Sequence, residues 1–167
     1  MTTAWKIQHR RSTAIREVLT RLEHTRDGRL PWPEVPSAVE VFGEPSALLR
    51  ALQLSWFTRL TAALDLVMED ANPNPVEAAQ MAWYDLAWRS PGLRRVLDAH
   101  QHDPGVAPGR LQEHRVLAVS AGLATLDEPP AIAAAHGREL VTAHRRQPAR
   151  YGWLAAVLGL RPAGSAA

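Results

Sequence analysis

The chain contains no cysteine among its 167 residues. This excludes disulfides, thiolate metal ligands, cysteine-ligated iron–sulfur clusters and cysteine nucleophiles. The chain also has no apolar run near the roughly 18 residues that a transmembrane helix requires. Its first residues, MTTAWKIQHRRST, lack the apolar segment of a secretory signal. We therefore expect a cytoplasmic protein that does not enter a membrane.

Lysine is almost missing as well, because Lys6 is the sole lysine among 19 basic residues. Arginine stays protonated far above neutral pH, so the isoelectric point of about 9.6 accompanies a net charge of only +2. A preference for arginine over lysine is typical of GC-rich bacterial genomes. The charge is uneven, at +4 for residues 1–29, −5 for residues 30–90 and +3 for residues 91–167. We expect these segments to neutralise one another by packing.

The common catalytic and cofactor motifs are missing too. The chain has no Gly-x-Ser-x-Gly elbow, no glycine-rich phosphate loop, no His-Glu-x-x-His and no Glu-x-x-His. The best metal candidate is the group His100, His102 and Asp103, but histidine near a helix C-terminus is also favoured by the helix dipole. Asp85 is the carboxylate that unusual burial could turn into an acid or base. We predict no metal, no cofactor and no catalytic residue.

The hydrophobic pattern predicts an all-α fold, a single domain over residues 1–160 built from six to seven helices, with a disordered tail at 161–167. No long segment shows the two-residue alternation of a strand. The longest helical pattern, at about 45–71, is apolar over half its circumference, whereas a surface helix shows a stripe of roughly 100°. We predict that this helix is the centre of the bundle.

Proline, glycine and capping residues set the predicted bounds of the other helices. Asn74-Pro75 and Ser90-Pro91 are typical helix starts, and Gly28 is a typical residue after a helix end. The pattern predicts helices at about 3–27, 75–90, 91–101, 110–126, from 130 onward and 149–160, with one helical turn near 37–42.

Six tryptophans suggest a function, because tryptophan is large and seldom fully buried. Trp56, Trp83, Tyr84 and Trp88 could edge an apolar groove, or they could form a tryptophan-rich core. Gln53 and Arg59 share the apolar half of the central helix, where one buried polar group is plausible. The predicted binding residues are Gln53, Trp56, Arg59, Trp83, Tyr84 and Trp88. The favoured function is a non-catalytic regulatory module that binds a protein partner or a second copy of itself.

Two alternatives remain open at this point. The first is a ligand-binding or enzymatic bundle with a cavity for an apolar small molecule beside the central helix. The second is a nucleic-acid binder that contacts phosphates through Arg10, Arg16 and Arg21. We favour it less, because no convincing recognition helix accompanies these arginines. Arg11 falls inside the apolar stripe of the first helix, and we expect it to pair with Asp65 or Glu69.

Overall fold

The structure, a computed structural model, describes residues 3–25, 27–69 and 74–145. Within these ranges it contains seven α-helices and no strand, which confirms the predicted all-α fold. They are α1 (Thr3–His24), α2 (Pro36–Phe42), α3 (Pro45–Glu69), α4 (Pro75–Arg89), α5 (Pro91–Ala99), α6 (Ala107–Ser120) and α7 (Pro130–Arg145). None of the described helices is long and apolar enough to span a membrane. The predicted helix at 149–160 and tail at 161–167 lie outside the described residues.

The helix starts follow the proline pattern of the sequence. Helices α2, α4, α5 and α6 each have proline in their first two positions, where its missing N–H is not needed. The side chain of Asn74 caps α4 by accepting hydrogen bonds from the backbone N–H groups of Val76 and Glu77. Ser90 precedes α5 without a capping hydrogen bond, and its hydroxyl instead accepts one from Arg59 Nη1 at 3.3 Å.

Two predicted helix ends were too late. Helix α1 ends at His24 rather than at residue 27, and Gly28 adopts a φ of +74° in the loop that follows. Helix α6 ends at Ser120 rather than at residue 126, because Gly122 adopts a φ of +69°. The N–H of Leu123 bonds the carbonyl of Ala118, the pattern of a Schellman motif. The apolar run after Ser120 is therefore a loop, with Leu123 and Leu126 exposed.

Helix α3 is the central helix, as predicted. It packs against α1, α2, α4, α5 and α6, while α7 lies on the far side against α4 and α6. Its buried face includes Leu48, Leu52, Trp56 and Leu60, each with no exposed surface. The opposite face of α3 borders α1 along its first part and carries no further described helix, and Leu54 and Leu66 are about two thirds exposed there, at 64% and 67%.

Helices α1 and α3 run in the same direction. The guanidinium of Arg11 lies over the ring of Phe42, close to the start of α3. Near the other end of α1, Leu22 packs against Gly92, next to the segment whose Ser90 contacts Arg59. Leu22 is thus level with Arg59, so α1 stops at His24 while α3 continues to Glu69. The last turns of α3, about 15 Å of helix, extend past the end of α1.

Candidate functional site

An open groove of about 730 Å³ runs between α1 and α3. Side chains from residues 8–19 of α1 and 47–59 of α3 line it. Its floor is apolar and consists of Ile15, Leu19, Ala47, Ala51 and Leu54. Because two neighbouring parallel helices form its walls, the groove follows the helix axes for about 18 Å, which matches three to four helical turns.

Four arginines line this groove: Arg11, Arg16, Arg50 and Arg59. No acidic residue is among the described residues that line it. Arg16 and Arg50 are exposed and have no ion pair or hydrogen bond within the described part of the chain. Neutral donors, among them Ser12, add to the lining. The groove therefore combines an apolar floor with positively charged walls, an arrangement suited to an amphipathic anion.

The three arginines predicted to contact nucleic acid do not share one surface. Arg10 pairs with Glu40 at 3.0 Å and Arg21 with Glu34 at 3.6 Å, on the side of α1 that faces α2. Only Arg16 faces the groove. The structure thus divides the set between exposed ion pairs and the groove wall.

The expected pairing of Arg11 with the acidic end of α3 was wrong. Because α1 and α3 run in the same direction, Arg11 lies near the start of α3, where its guanidinium is 4.9 Å from the ring centroid of Phe42. Asp65 and Glu69 are exposed near the other end of α3, and neither has a hydrogen bond or ion pair within the described ranges.

A buried polar cluster joins α3, α4, α5 and α6 on the opposite side of α3. At its centre is Glu113, which is 1% exposed. Its Oε1 accepts hydrogen bonds from Trp83 Nε1 at 2.8 Å and from Arg94 Nη1 at 3.1 Å. Its Oε2 accepts one from Gln53 Nε2 at 3.1 Å. The guanidinium carbon of Arg94 also lies 4.7 Å from the centre of the Trp56 ring, a cation–π contact.

The outer edge of the buried cluster is a second carboxylate, Asp98. Its Oδ1 accepts hydrogen bonds from Arg94 Nη2 and Arg110 Nη1, both at 3.0 Å. Burial raises the pKa of Asp98, but the charges of Arg94 and Arg110 outweigh burial and hold the pKa below its ordinary value. Asp98 is therefore ionised at neutral pH.

The buried cluster is closed to solvent and links helices. Glu113, Arg94 and Gln53 are each at most 5% exposed. Both oxygens of Glu113 accept hydrogen bonds from side chains of other helices. A carboxylate so occupied fixes the relative positions of four helices.

The structure separates the six residues predicted from the sequence to bind a partner. Trp56 and Trp83 are buried with ring centroids 5.9 Å apart, and Gln53 is buried beside them. Tyr84 is half-buried and its hydroxyl donates to the carbonyl of Val141 in α7. Trp88 is 73% exposed on α4, one turn after Tyr84. Arg59, the sixth residue, lines the groove.

Two of the three predicted metal candidates, His100 and Asp103, have structural partners. His100 Nδ1 contacts the carbonyl of Val96 at 2.9 Å. Asp103 Oδ1 accepts hydrogen bonds from Ser46 Oγ and from the N–H of Gly105, each at 2.7 Å. Across the ranges that the structure describes, no group of three or more histidine or acidic side chains is arranged to hold a metal ion.

The carboxylate proposed as an acid or base, Asp85, is exposed and pairs with Arg89 at 2.7 Å. It thus lacks the burial that would suit it to proton transfer.

Sequence reasoning missed Arg11 and Arg50 as residues of the candidate site. A usable signal was present, because Arg11, Ile15 and Leu19 repeat at the four-residue spacing of one helix face, and so do Arg50 and Leu54. What the sequence could not show is that these two faces lie beside each other.

No protein-family model matches the chain, and neither a curated protein nor a solved structure is detectably similar to it.

Proposed function

We propose that the chain is a non-catalytic interaction module whose α1–α3 groove binds an acidic, amphipathic helix of a protein partner. The observation that carries the proposal is the lining of the groove, four arginines around an apolar floor with no acidic residue among the described lining residues. A third helix laid along two others buries an apolar stripe between their ridges. Its acidic side chains would then meet the arginine walls.

The openness of the groove favours a helix over a small molecule. A small-molecule site usually encloses most of its ligand's surface. Here Leu54 is 64% exposed in the floor, so a small ligand would leave much apolar surface in water. A helix of three to four turns matches the length of the groove and covers Leu54 together with its neighbours.

The apolar floor also favours a peptide over a nucleic-acid backbone. Phosphate contacts depend on arginine and lysine and gain little from buried aliphatic side chains. Ile15, Leu19 and Leu54 would lie under the sugar–phosphate chain without a matching apolar surface. An amphipathic helix instead uses the floor and the walls together.

The proposal is tested by fluorescence anisotropy with a labelled designed peptide, a helix with leucine along one face and glutamate along both flanks. We expect saturable binding that weakens about thirtyfold in the variant Arg16→Glu/Arg50→Glu, because two attractive charges become repulsive. The control variant is Arg95→Glu, which reverses an exposed arginine on α5, away from the groove, and should bind like the wild type.

Three further arms of the test distinguish the apolar floor from charge alone. A peptide of the same composition in scrambled order should bind at least tenfold more weakly, because its leucines no longer form one face. The same scrambled peptide binding equally well would refute the proposal, and so would tighter binding of a double-stranded DNA. Leu54→Glu should also weaken binding of the designed peptide, because it places a carboxylate in the floor.

A further inference from the structure

The chain itself carries side chains of the two kinds that the groove accepts, acidic and apolar, at the end of α3. On the α3 face that lines the groove, the helix carries Arg50 and Leu54 in its first half and Asp65, Met68 and Glu69 in its last two turns. At 100° per residue these five positions fall within an arc of about 100°. This face of α3 is thus basic and apolar near the N-terminus of the helix. Near the C-terminus of the helix it is acidic and apolar.

The acidic end of α3 is uncovered. Helix α1 ends at His24, level with the middle of α3, and the side chains on this face beyond that level are exposed. Leu66 is 67% and Met68 40% exposed, and Asp65 and Glu69 are exposed too. Two apolar and two acidic side chains are therefore exposed on the last two turns. Around the helix, Asp65 and Glu69 lie between Met68 and Leu66, so the carboxylates are central and the apolar side chains flank them.

We infer that the chain forms a twofold dimer in which the acidic end of each α3 lies in the α1–α3 groove of the other copy. The inference rests on the proposed function, because it uses the same groove. The two α3 helices would lie antiparallel, so that Asp65 of one copy is level with Leu54 of the other, and Glu69 with Arg50. Both contacts occur twice, as a twofold axis requires.

Charge complementarity selects this arrangement over a parallel one. In a parallel pair Arg50 would face Arg50 and Glu69 would face Glu69, which places like charges opposite each other. In the antiparallel pair Glu69 meets Arg50, and Asp65 reaches the level of Arg16 on α1. Leu54 and Leu66 come within one residue of the same level, so the apolar side chains also meet.

Two complementary variants test the dimer by sedimentation velocity. Asp65→Arg/Glu69→Arg makes the inserted end basic, and Arg16→Glu/Arg50→Glu makes the groove acidic. We expect the wild type to sediment as a dimer, with twice the 18.4 kDa mass of one chain. Each variant alone should dissociate about a thousandfold more readily, since the charge reversal that costs about thirtyfold at one groove occurs at both grooves of the dimer. An equimolar mixture of the two variants should form a heterodimer, because both of its contacts pair opposite charges.

The mixture keeps the test informative even if a variant is less stable than the wild type. Recovery of the dimer on mixing shows that both variants are folded and that charge controls the contact. Mixing without recovery, with both variants folded by circular dichroism, would overturn the inference. A wild type that stays monomeric up to about 100 µM would overturn it too.

A cross-link tests the antiparallel geometry directly, since the natural chain has no cysteine. In Leu54→Cys/Leu66→Cys the two thiols of one chain are about 18 Å apart along α3, too far to pair. Oxidation should therefore give a disulfide-linked dimer. The matched single variant Leu54→Cys should cross-link much more slowly, and faster cross-linking of the single variant would favour the parallel arrangement and overturn ours.

Peptide binding by a monomeric variant tests the proposed function separately from the dimer. Asp65→Arg/Glu69→Arg leaves the groove intact and unoccupied by a second copy, so this variant should bind the designed acidic peptide. Peptide binding by a chain that never dimerises would overturn the self-association and leave the proposed function standing. No peptide binding by this variant would overturn both.

Discussion

Removal of the carboxylate at the centre of the buried cluster is the sharpest test of the fold. Glu113→Ala leaves the Arg94 guanidinium, which is 5% exposed, without the partner that accepts from its Nη1. Breaking a buried ion pair by removing one partner costs about 3–5 kcal/mol. Trp83 Nε1 and Gln53 Nε2 lose their acceptors as well. We expect a loss of about 4 kcal/mol or more in the free energy of unfolding, a large part of a typical domain's 5–15 kcal/mol.

Glu113→Gln should cost less, about 2 kcal/mol. Its amide oxygen could still accept from Trp83 and Arg94. Its amide N–H groups would meet Gln53, whose Oε1 is buried without a donor. If the Gln53 side-chain amide rotates by about 180°, its Oε1 accepts a hydrogen bond from the new amide N–H. The remaining loss of stability then comes from the missing negative charge opposite Arg94.

The assay is urea unfolding followed by circular dichroism, with the midpoint and slope fitted separately. The double variant Arg94→Met/Glu113→Leu removes both charges and should be more stable than Glu113→Ala, because it leaves no buried guanidinium that has lost one of its two carboxylates, while Asp98 keeps Arg110. A cost below about 1 kcal/mol for Glu113→Ala would refute the reasoning, since Arg94 would then find other solvation. The reasoning would also be refuted if the double variant had a lower free energy of unfolding than Glu113→Ala.

Further predictions concern helix packing, capping, pH and the exposed tryptophan. Gly137→Ala should cost at least about 3 kcal/mol, because a Cβ there would lie 1.8 Å from the carbonyl oxygen of His114, and thermal unfolding measures it. Asn74→Ala should cost about 1 kcal/mol through the lost α4 cap, and a cost near zero in urea would contradict the cap. Burial lowers the pKa of His114 from 6.5 to about 4, against a smaller opposing effect of Glu113. On acidification, His114 is therefore protonated at a higher pH in the unfolded chain than in the folded one. The free energy of unfolding should fall by up to about 3 kcal/mol as the pH drops from about 6.5 to 4. His114→Gln should flatten that fall in urea titrations, and a rise in stability toward acid would contradict the assignment. Trp88→Ala should leave both unfolding and peptide binding unchanged, because the ring is 73% exposed and outside the groove.

The helices could be predicted because their signals are local. Asn74 and Pro75 are adjacent in the chain, and a cap needs only those residues and the next two N–H groups. The wide apolar face around Trp56 likewise follows from the spacing of side chains along one helix. The end of α6 was missed because the apolar residues after Ser120 continue the pattern, while the positive φ of Gly122 ends the helix.

The buried cluster and the groove could not be predicted, because their residues come from different helices. Glu113 lies in the polar run RLQEHR and reads as a surface residue, yet Gln53, sixty positions earlier, donates to it. In the same way, Arg16 and Arg50 belong to separate faces until α1 is known to run parallel to α3. Sequence patterns place a side chain on a face but do not tell which other face it meets.

The pair of buried tryptophans gives the fold its own optical signal. The indoles of Trp56 in α3 and Trp83 in α4 have ring centroids 5.9 Å apart and planes inclined at 74°. Two chromophores so close and so strongly inclined couple their electronic transitions, and the coupling produces circular dichroism that neither ring gives alone. This signal depends on the distance between α3 and α4 rather than on helix content. The tryptophan signal therefore reports the distance between α3 and α4 separately from the signal of helix content.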